Sequence, residues 1–316
     1  MEGSFFKQVL APLGLCLAAT TVASIAMAGV TLGSGSSATN PAFLPIGDGK
    51  VTTSGAQRGY VYRCGSSPPG GGGAFEEGPW IRGDGTFDLT AKAIVDGAVS
   101  WPQAKFSAKT TRSRRLLRGN GLPVGQTTGE FPIQPSDDAY QYDRNPNSIA
   151  AQSDSYSLPR NPKKASSPRC LTPGPIGIAK DGVPIFDGLD AEDRDAVAHE
   201  VQDSCGGHPQ MQSVYHYHSI PSCLTARESA RKPSGLVGYA LDGYPIYGPR
   251  GAGGKLLTND DLDACHGQTS KVRFEGRWQR IYHYNATLEF PYTLGCFHGT
   301  PSAAVASIWL SARNPV

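Results

Sequence analysis

Apolar residues crowd the start of this chain and thin out immediately afterwards. Positions 9–28 include Leu10, Leu13, Leu15, Leu17, Val22 and Ile25, follow the basic Lys7, and close on Ala26-Met27-Ala28. A basic head, an apolar middle and a small-x-small ending predict an export signal over residues 1–28, removed from the mature protein. Residues 29–79 hold few apolar positions and two Gly/Ser/Pro-rich tracts, which predict a largely flexible segment. From Trp80 the pattern becomes strand-like. Ala93-Ile94-Val95, the turn Asp96-Gly97 and Ala98-Val99-Ser100-Trp101 read as a hairpin, and Asn120-Gly121 is a second turn of that kind. One helix is predicted over about residues 190–202, with Asp190 as its cap, acids in its first turn, and Val197 and Val201 four apart. The longest later apolar stretch, 303–310, is far too short to cross a bilayer.

Together these elements predict a mainly β (β-rich α+β) fold of short strands and hairpins with one or two helices. Residues 80–316 would form a single domain. Composition agrees: Gly 39 and Pro 25 among 316 residues weigh against a helical bundle, since both residues interrupt helices. A formal net charge of +2, from 29 Lys+Arg against 27 Asp+Glu, gives no support to a nucleic-acid binder. The local run Lys109, Arg112, Arg114, Arg115 and Arg118 contains no acid and reads as a solvated strand or loop face, or as a patch for an anionic ligand.

An internal repeat occupies the second half, over about 176–224 and 237–298. Gly177-Ile178-Ala179-Lys180-Asp181-Gly182-Val183-Pro184-Ile185-Phe186 matches Gly238-Tyr239-Ala240-Leu241-Asp242-Gly243-Tyr244-Pro245-Ile246-Tyr247. Asp203-Ser204-Cys205 matches Asp263-Ala264-Cys265, Tyr215-His216-Tyr217-His218 matches Tyr282-His283-Tyr284-Asn285, and Cys223-Leu224 matches Cys296-Phe297. Asp181 and Asp242, each before a glycine, read as turn residues of a hairpin rather than as catalytic carboxylates. Removal of the leader takes Cys16 and leaves six cysteines, an even number that predicts disulfides in an exported chain. The repeat suggests Cys205–Cys223 and Cys265–Cys296, with Cys64–Cys170 remaining; bridges swapped between the copies stay open.

Chemistry gathers on the histidines. None of the seven lies in the first 198 residues. In a strand, His216 and His218 share one face and Tyr215 and Tyr217 the other, with the histidine Cα atoms about 6.6 Å apart. Both rings can then lean onto one ion. If the two copies pack as related halves, His283, His208 and His266 complete the shell. A site of several imidazoles suits copper or zinc rather than calcium or magnesium. The bland reading is a polar strand face satisfied by hydrogen bonds. His199, on the predicted helix, reads as a surface residue, and His298 is undecided.

These residues resemble the YHYH protein family, whose motif stands here as Tyr215-His216-Tyr217-His218. The resemblance includes the 238–249 segment, Asp261-Leu262-Asp263-Ala264-Cys265-His266-Gly267 and Phe290-Pro291-Tyr292-Thr293-Leu294-Gly295-Cys296-Phe297. It extends upstream through Gly119-Asn120-Gly121-Leu122-Pro123 and Asp143-Arg144-Asn145-Pro146-Asn147. It implies an exported protein and supplies no mechanism. Gly125 and Asn285 depart from the pattern, since similar chains carry His at the first, and a fourth His is missing at the second.

Three functions compete. The first is a secreted or periplasmic protein holding copper or zinc, as a carrier or as a metalloenzyme with an open coordination position. The second is a metal-free hydrolase or lyase on an extracellular polysaccharide, using His and Tyr as base and acid. No Gly-x-Ser-x-Gly and no His-Glu-x-x-His supports it. The third is a non-catalytic module for a small molecule or polysaccharide, with Trp80, Trp101, Trp278 and Trp309 available for stacking.

Overall fold

The computed structural model describes residues 1, 38–65 and 74–302; the predicted export signal and Trp309 lie outside them. Strands dominate, and the largest sheet has eight. These are β1 (Gly177–Ala179), β2 (Pro184–Ile185), β3 (Gly207–Pro209), β4 (Tyr215–Tyr217), β5 (Leu236–Ala240), β6 (Pro245–Tyr247), β7 (Gly267–Phe274) and β8 (Arg277–Asn285). Their order across the sheet is β3-β4-β2-β1-β5-β6-β8-β7. Outward from the central β1–β5 pair, both sides run hairpin, parallel neighbour, antiparallel edge. The central register pairs Gly177 with Ala240, Ile178 with Tyr239, and Ala179 with Gly238.

Local chemistry fixes each hairpin. Gly182 and Gly243 sit at φ 96° and 93°, where a side chain would be strained, directly after Asp181 and Asp242. Each aspartate accepts from a backbone N–H two residues on, Val183 and Tyr244 respectively. Ile178, Ile185, Val237 and Ile246 are fully buried and form the sheet's part of the core. A second, three-stranded sheet comprises Phe106–Thr110, Arg114–Gly119 and Asp154–Pro159.

Several expectations change. The predicted helix shrinks to α1 (Ala196–His199), capped by Asp195 and not by Asp190. Asp190 instead turns the preceding loop, accepting from the N–H groups of Glu192 and Arg194, and Asp193 takes a left-handed φ of 60° that ends any helix there. The 93–101 hairpin does not close on itself. Val99–Ser100 pairs with Thr127–Thr128, and the buried Val95 bridges to the buried Asp203. Residues 38–65, drawn into the flexible segment by composition, are folded onto the body. Leu44 and Val61 are fully buried, Gly47 N–H donates to Asp195, and Tyr62 N–H donates to the Gly295 carbonyl.

The basic run forms a hairpin whose Lys109, Arg112, Arg114 and Arg118 are exposed. Arg115 departs from that face: it is buried, paired with Glu275 at 2.8 Å and stacked 4.1 Å from the Tyr239 ring centroid. The disulfides are Cys64–Cys170, Cys205–Cys223 and Cys265–Cys296.

Candidate metal centre

Strand β4 splits the motif residues between two environments. On one face Tyr215 donates to Asp203 at 2.8 Å and Tyr217 to Asp181 at 2.8 Å, with the Cys205 sulfur 3.8 Å from the Tyr217 hydroxyl. Gly207 on β3 makes room for this packing, since a Cβ there would lie 2.3 Å from the Tyr215 ring. Burial and the facing carboxylates push both phenols well above their ordinary range, so they stay neutral.

The other face gathers imidazoles. His208 on β3 stands directly opposite His216 on β4, and His218 follows the strand's end. The three rings lie 4.5, 4.8 and 5.2 Å apart by centroid, and one ligand nitrogen from each lies within 4.8 Å of the others. All three side chains are buried. Phe186 covers His216 with a stacked ring 4.1 Å away.

The hydrogen bonds decide which nitrogen faces inward. His216 Nδ1 donates to the Val214 carbonyl at 3.1 Å, and His218 Nδ1 donates to the Asp187 carbonyl at 2.6 Å. A carbonyl only accepts, so each Nδ1 carries the proton and each Nε2 of the neutral ring presents a lone pair. Burial, assisted by the neighbouring rings at His208 and His216, lowers all three basicities and keeps the imidazoles neutral. The two Nε2 atoms stand only 3.0 Å apart. Two lone pairs facing each other repel unless something electrophilic lies between them. Zinc bonds of 2.0–2.1 Å in a tetrahedral shell place neighbouring ligand nitrogens about 3.3 Å apart, close to this separation. His208 adds a second sign of the same kind, because neither of its buried ring nitrogens has a hydrogen-bond partner.

A carboxylate joins the group. Glu200, the residue that closes α1, places Oε2 3.5 Å from both His208 Nε2 and His218 Nε2. That oxygen is buried and makes no hydrogen bond. Burial first, then the charges of Asp143 and Asp190, raises the Glu200 carboxyl well above its ordinary range. The segment that delivers it is held from three sides. Asp195 caps α1, Gly47 N–H and the Tyr292 hydroxyl both donate to Asp195, and Trp80 Nε1 donates to the Ala198 carbonyl at 2.9 Å.

Of the histidines proposed from sequence, His208, His216 and His218 come together. His266 and His283 do not join them. His283 lies on β8, five strand positions from β4, on the order of 20 Å across the sheet. Its Nδ1 donates to the Ile281 carbonyl and its Nε2 is 3.4 Å from Ser270 Oγ. His266 is buried in a left-handed turn with Nε2 3.0 Å from Thr287 Oγ1, its basicity lowered to about 3 by burial. His199 pairs with Asp48 at 2.9 Å, and His298 stacks on Tyr282 at 3.6 Å.

Sequence reasoning did not single out Glu200. Its signal was an acid that follows His199 within a stretch whose other members, Ala196, Val197, Ala198 and Val201, are apolar, where a buried acid has to find a partner. A cavity of about 330 Å³ is lined by Val197, Gln202, Ser219 and Ile220 among others, but by none of the three histidines nor by Glu200. The cluster is therefore enclosed by its own side chains rather than opening onto that space.

The family model described as YHYH protein matches residues 155–256, which carry the Tyr-His-Tyr-His motif and both Asp-Gly hairpins. No curated protein and no solved structure matches the chain.

Proposed function

We propose that this chain, a YHYH protein by its match over residues 155–256, is an exported protein that binds a transition metal, copper or zinc, through His208, His216 and His218. The observation that carries the reading is the pair of Nε2 lone pairs 3.0 Å apart, each fixed inward by its own Nδ1–H to a carbonyl. Backbone carbonyls at that position are how proteins orient metal-binding imidazoles. When bound, the ion supplies a cross-link between β3 and β4 and a Lewis-acidic charge in an enclosed site.

The chain's own residues favour retention of the ion over turnover at it. The three rings are buried, Phe186 covers one of them, and the neighbouring cavity does not reach them. Acid–base catalysis by the motif tyrosines is disfavoured, because both hydroxyls lie on the opposite face and are committed to Asp203 and Asp181. Three disulfides support an oxidising compartment, secreted or periplasmic, and no helix among the described residues is long and apolar enough to cross a membrane.

Metal analysis of protein prepared from the periplasm, with copper and zinc supplied, tests the reading. About one ion per wild-type chain is expected, and none in His216→Ala/His218→Ala. Wild-type protein without metal, or a double variant that keeps it, overturns the proposal.

A further inference from the structure

We infer that Glu200 is a fourth ligand of this centre, so that the site presents three neutral imidazoles and one carboxylate and takes a divalent ion, zinc or cupric copper, in preference to cuprous copper. The inference rests on the three-histidine reading and adds the donor that sets the ion's class.

The geometry is specific to one oxygen. Glu200 Oε2 is equidistant, at 3.5 Å, from the Nε2 atoms of His208 and His218, while the latter lies 3.0 Å from the Nε2 of His216. These three separations bracket the ligand-to-ligand spacing of about 3.3 Å in a tetrahedral zinc shell. The imidazole nitrogens as a set lie within 4.8 Å of one another, so binding has to draw the remaining pairs together. A hydrogen bond from His218 Nε2 cannot explain the approach, because that ring's proton is on Nδ1, donated to Asp187. His208 does not explain it either, since neither of its ring nitrogens makes a hydrogen bond. What is left is a buried carboxyl oxygen that makes no hydrogen bond and stands among imidazole lone pairs, a position that a metal cation fills in place of the carboxyl's own proton.

The donor set carries the selectivity. Carboxylate and imidazole together suit borderline divalent ions, whereas cuprous copper is selected by thiolates and thioethers. Among the described residues no cysteine joins the cluster, and Cys205 is bonded to Cys223 and approaches Tyr217 on the opposite face. Charge points the same way. Asp143 and Asp190 act on Glu200 against two cations, Lys92 and Arg194, the latter paired with Asp190 at 2.8 Å. Three acids thus face two bases, and a doubly charged ion is drawn in more strongly than a singly charged one.

Competition titrations of metal-stripped full-length protein against a chelator decide the matter, run with zinc and with cuprous copper held under reductant. Glu200→Gln keeps the shape and removes the anionic donor. Its zinc affinity should fall by about 100-fold or more, at the upper end of what supporting residues of metal sites contribute. Its cuprous affinity should move by less than about threefold. Glu200→Asp, which keeps the charge but withdraws it, should fall between. Without metal, Glu200→Gln should melt no lower than wild type, because it replaces a buried carboxyl whose Oε2 makes no hydrogen bond with a neutral group of the same shape. A Glu200→Gln protein that binds zinc as wild type does, while His216→Ala/His218→Ala does not, overturns the fourth ligand and leaves the histidine reading standing. Zinc binding that survives the histidine double variant overturns both. Equal losses for zinc and cuprous copper in Glu200→Gln overturn the selectivity.

Discussion

The outer strands of the large sheet, β3–β4 on one side and β7–β8 on the other, share one framework and differ in what it holds. In both, an Asp-Gly hairpin anchors the second motif tyrosine: Tyr217 donates to Asp181, and Tyr284 donates to Asp242 at 2.6 Å. In both, the first histidine is fixed by the carbonyl two residues earlier, Val214 for His216 and Ile281 for His283. The difference lies in two positions. Opposite the first histidine stand His208 on one side and Gln268 on the other, and His218 is answered by Asn285. The amides satisfy each other, Gln268 Nε2 donating to Asn285 Oδ1 at 3.0 Å, and Asn285 Nδ2 donates to the Gly248 carbonyl much as His218 donates to Asp187. One end is therefore closed by its own hydrogen bonds, while the other is left with inward lone pairs that nothing among the described residues satisfies. A common scaffold does not imply a common function; two side chains decide it.

The largest expected effect separates the two ends by metal. Zinc at about 1,000 times its dissociation constant should stabilise the wild type by about 4 kcal/mol, read as a shift in chemical denaturation. That shift should vanish in His216→Ala/His218→Ala and persist in His283→Ala. Conversely, Gln268→His/Asn285→His rebuilds the nitrogen set beside His283 and should bind a further ion, weakly, since among the described residues no carboxylate pairs with His283 as Glu200 does with His208 and His218. If His283→Ala abolishes the shift as the double variant does, the two ends are not distinct in the way the hydrogen bonds indicate.

Much of this contrast was legible from residues alone, for physical reasons that also mark where legibility stopped. Strand alternation put His216 and His218 on one face because the side-chain period of a strand is two. The repeated Asp-Gly pairs specified their hairpins through the left-handed glycine. The order of the copies suggested the cysteine pairing but left bridges swapped between them open, and the structure has the unswapped set. Placing His266 and His283 in the same shell failed because a sheet sets its two ends apart, and no sequence pattern states which strands become the edges. Glu200 stayed hidden because its role depends on where the single turn of α1 sits, and its start is set by Asp195, held in turn by Tyr292 and Gly47, far apart in the chain. The same tertiary contacts overrode the composition of residues 38–65.

A smaller effect concerns the aspartates beneath the tyrosines. Burial raises the Asp181 carboxyl to about 6, and it raises Asp242 in the same direction. A carboxyl held above its unfolded value binds its proton more tightly in the folded protein. Its contribution is therefore complete below the unfolded value near pH 4 and is lost as pH rises through 6. For Asp181 the loss amounts to about 2–3 kcal/mol, and Asp181→Asn should remove that part of the slope between pH 4 and 6. Asp242→Asn should remove a slope of the same sign. If Asp181→Asn unfolds with the wild-type pH profile, the carboxyl titrates in the folded protein as it does in water and the turn is not shielding it.

The smallest effect tests whether the two faces of β4 are independent. Tyr217→Phe and Tyr284→Phe each delete one hydroxyl that donates to a buried carboxylate, and each should cost about 1–3 kcal/mol. Tyr284→Phe should cost the more of the two, because the Tyr284 hydroxyl also accepts from the His298 N–H at 2.7 Å, whereas beside Asp181 the Tyr217 hydroxyl meets the Cys205 sulfur at 3.8 Å. Neither variant should change zinc affinity by more than about threefold, since the tyrosines point away from the imidazoles and the histidine protons are fixed by carbonyls of Val214 and Asp187 rather than by the tyrosine side. A Tyr217→Phe protein with zinc affinity reduced tenfold or more, alongside an unaffected Tyr284→Phe, would mean that the strand transmits the tyrosine's position to the rings. The aspartate face would then belong to the metal centre instead of merely holding up the strand that carries it.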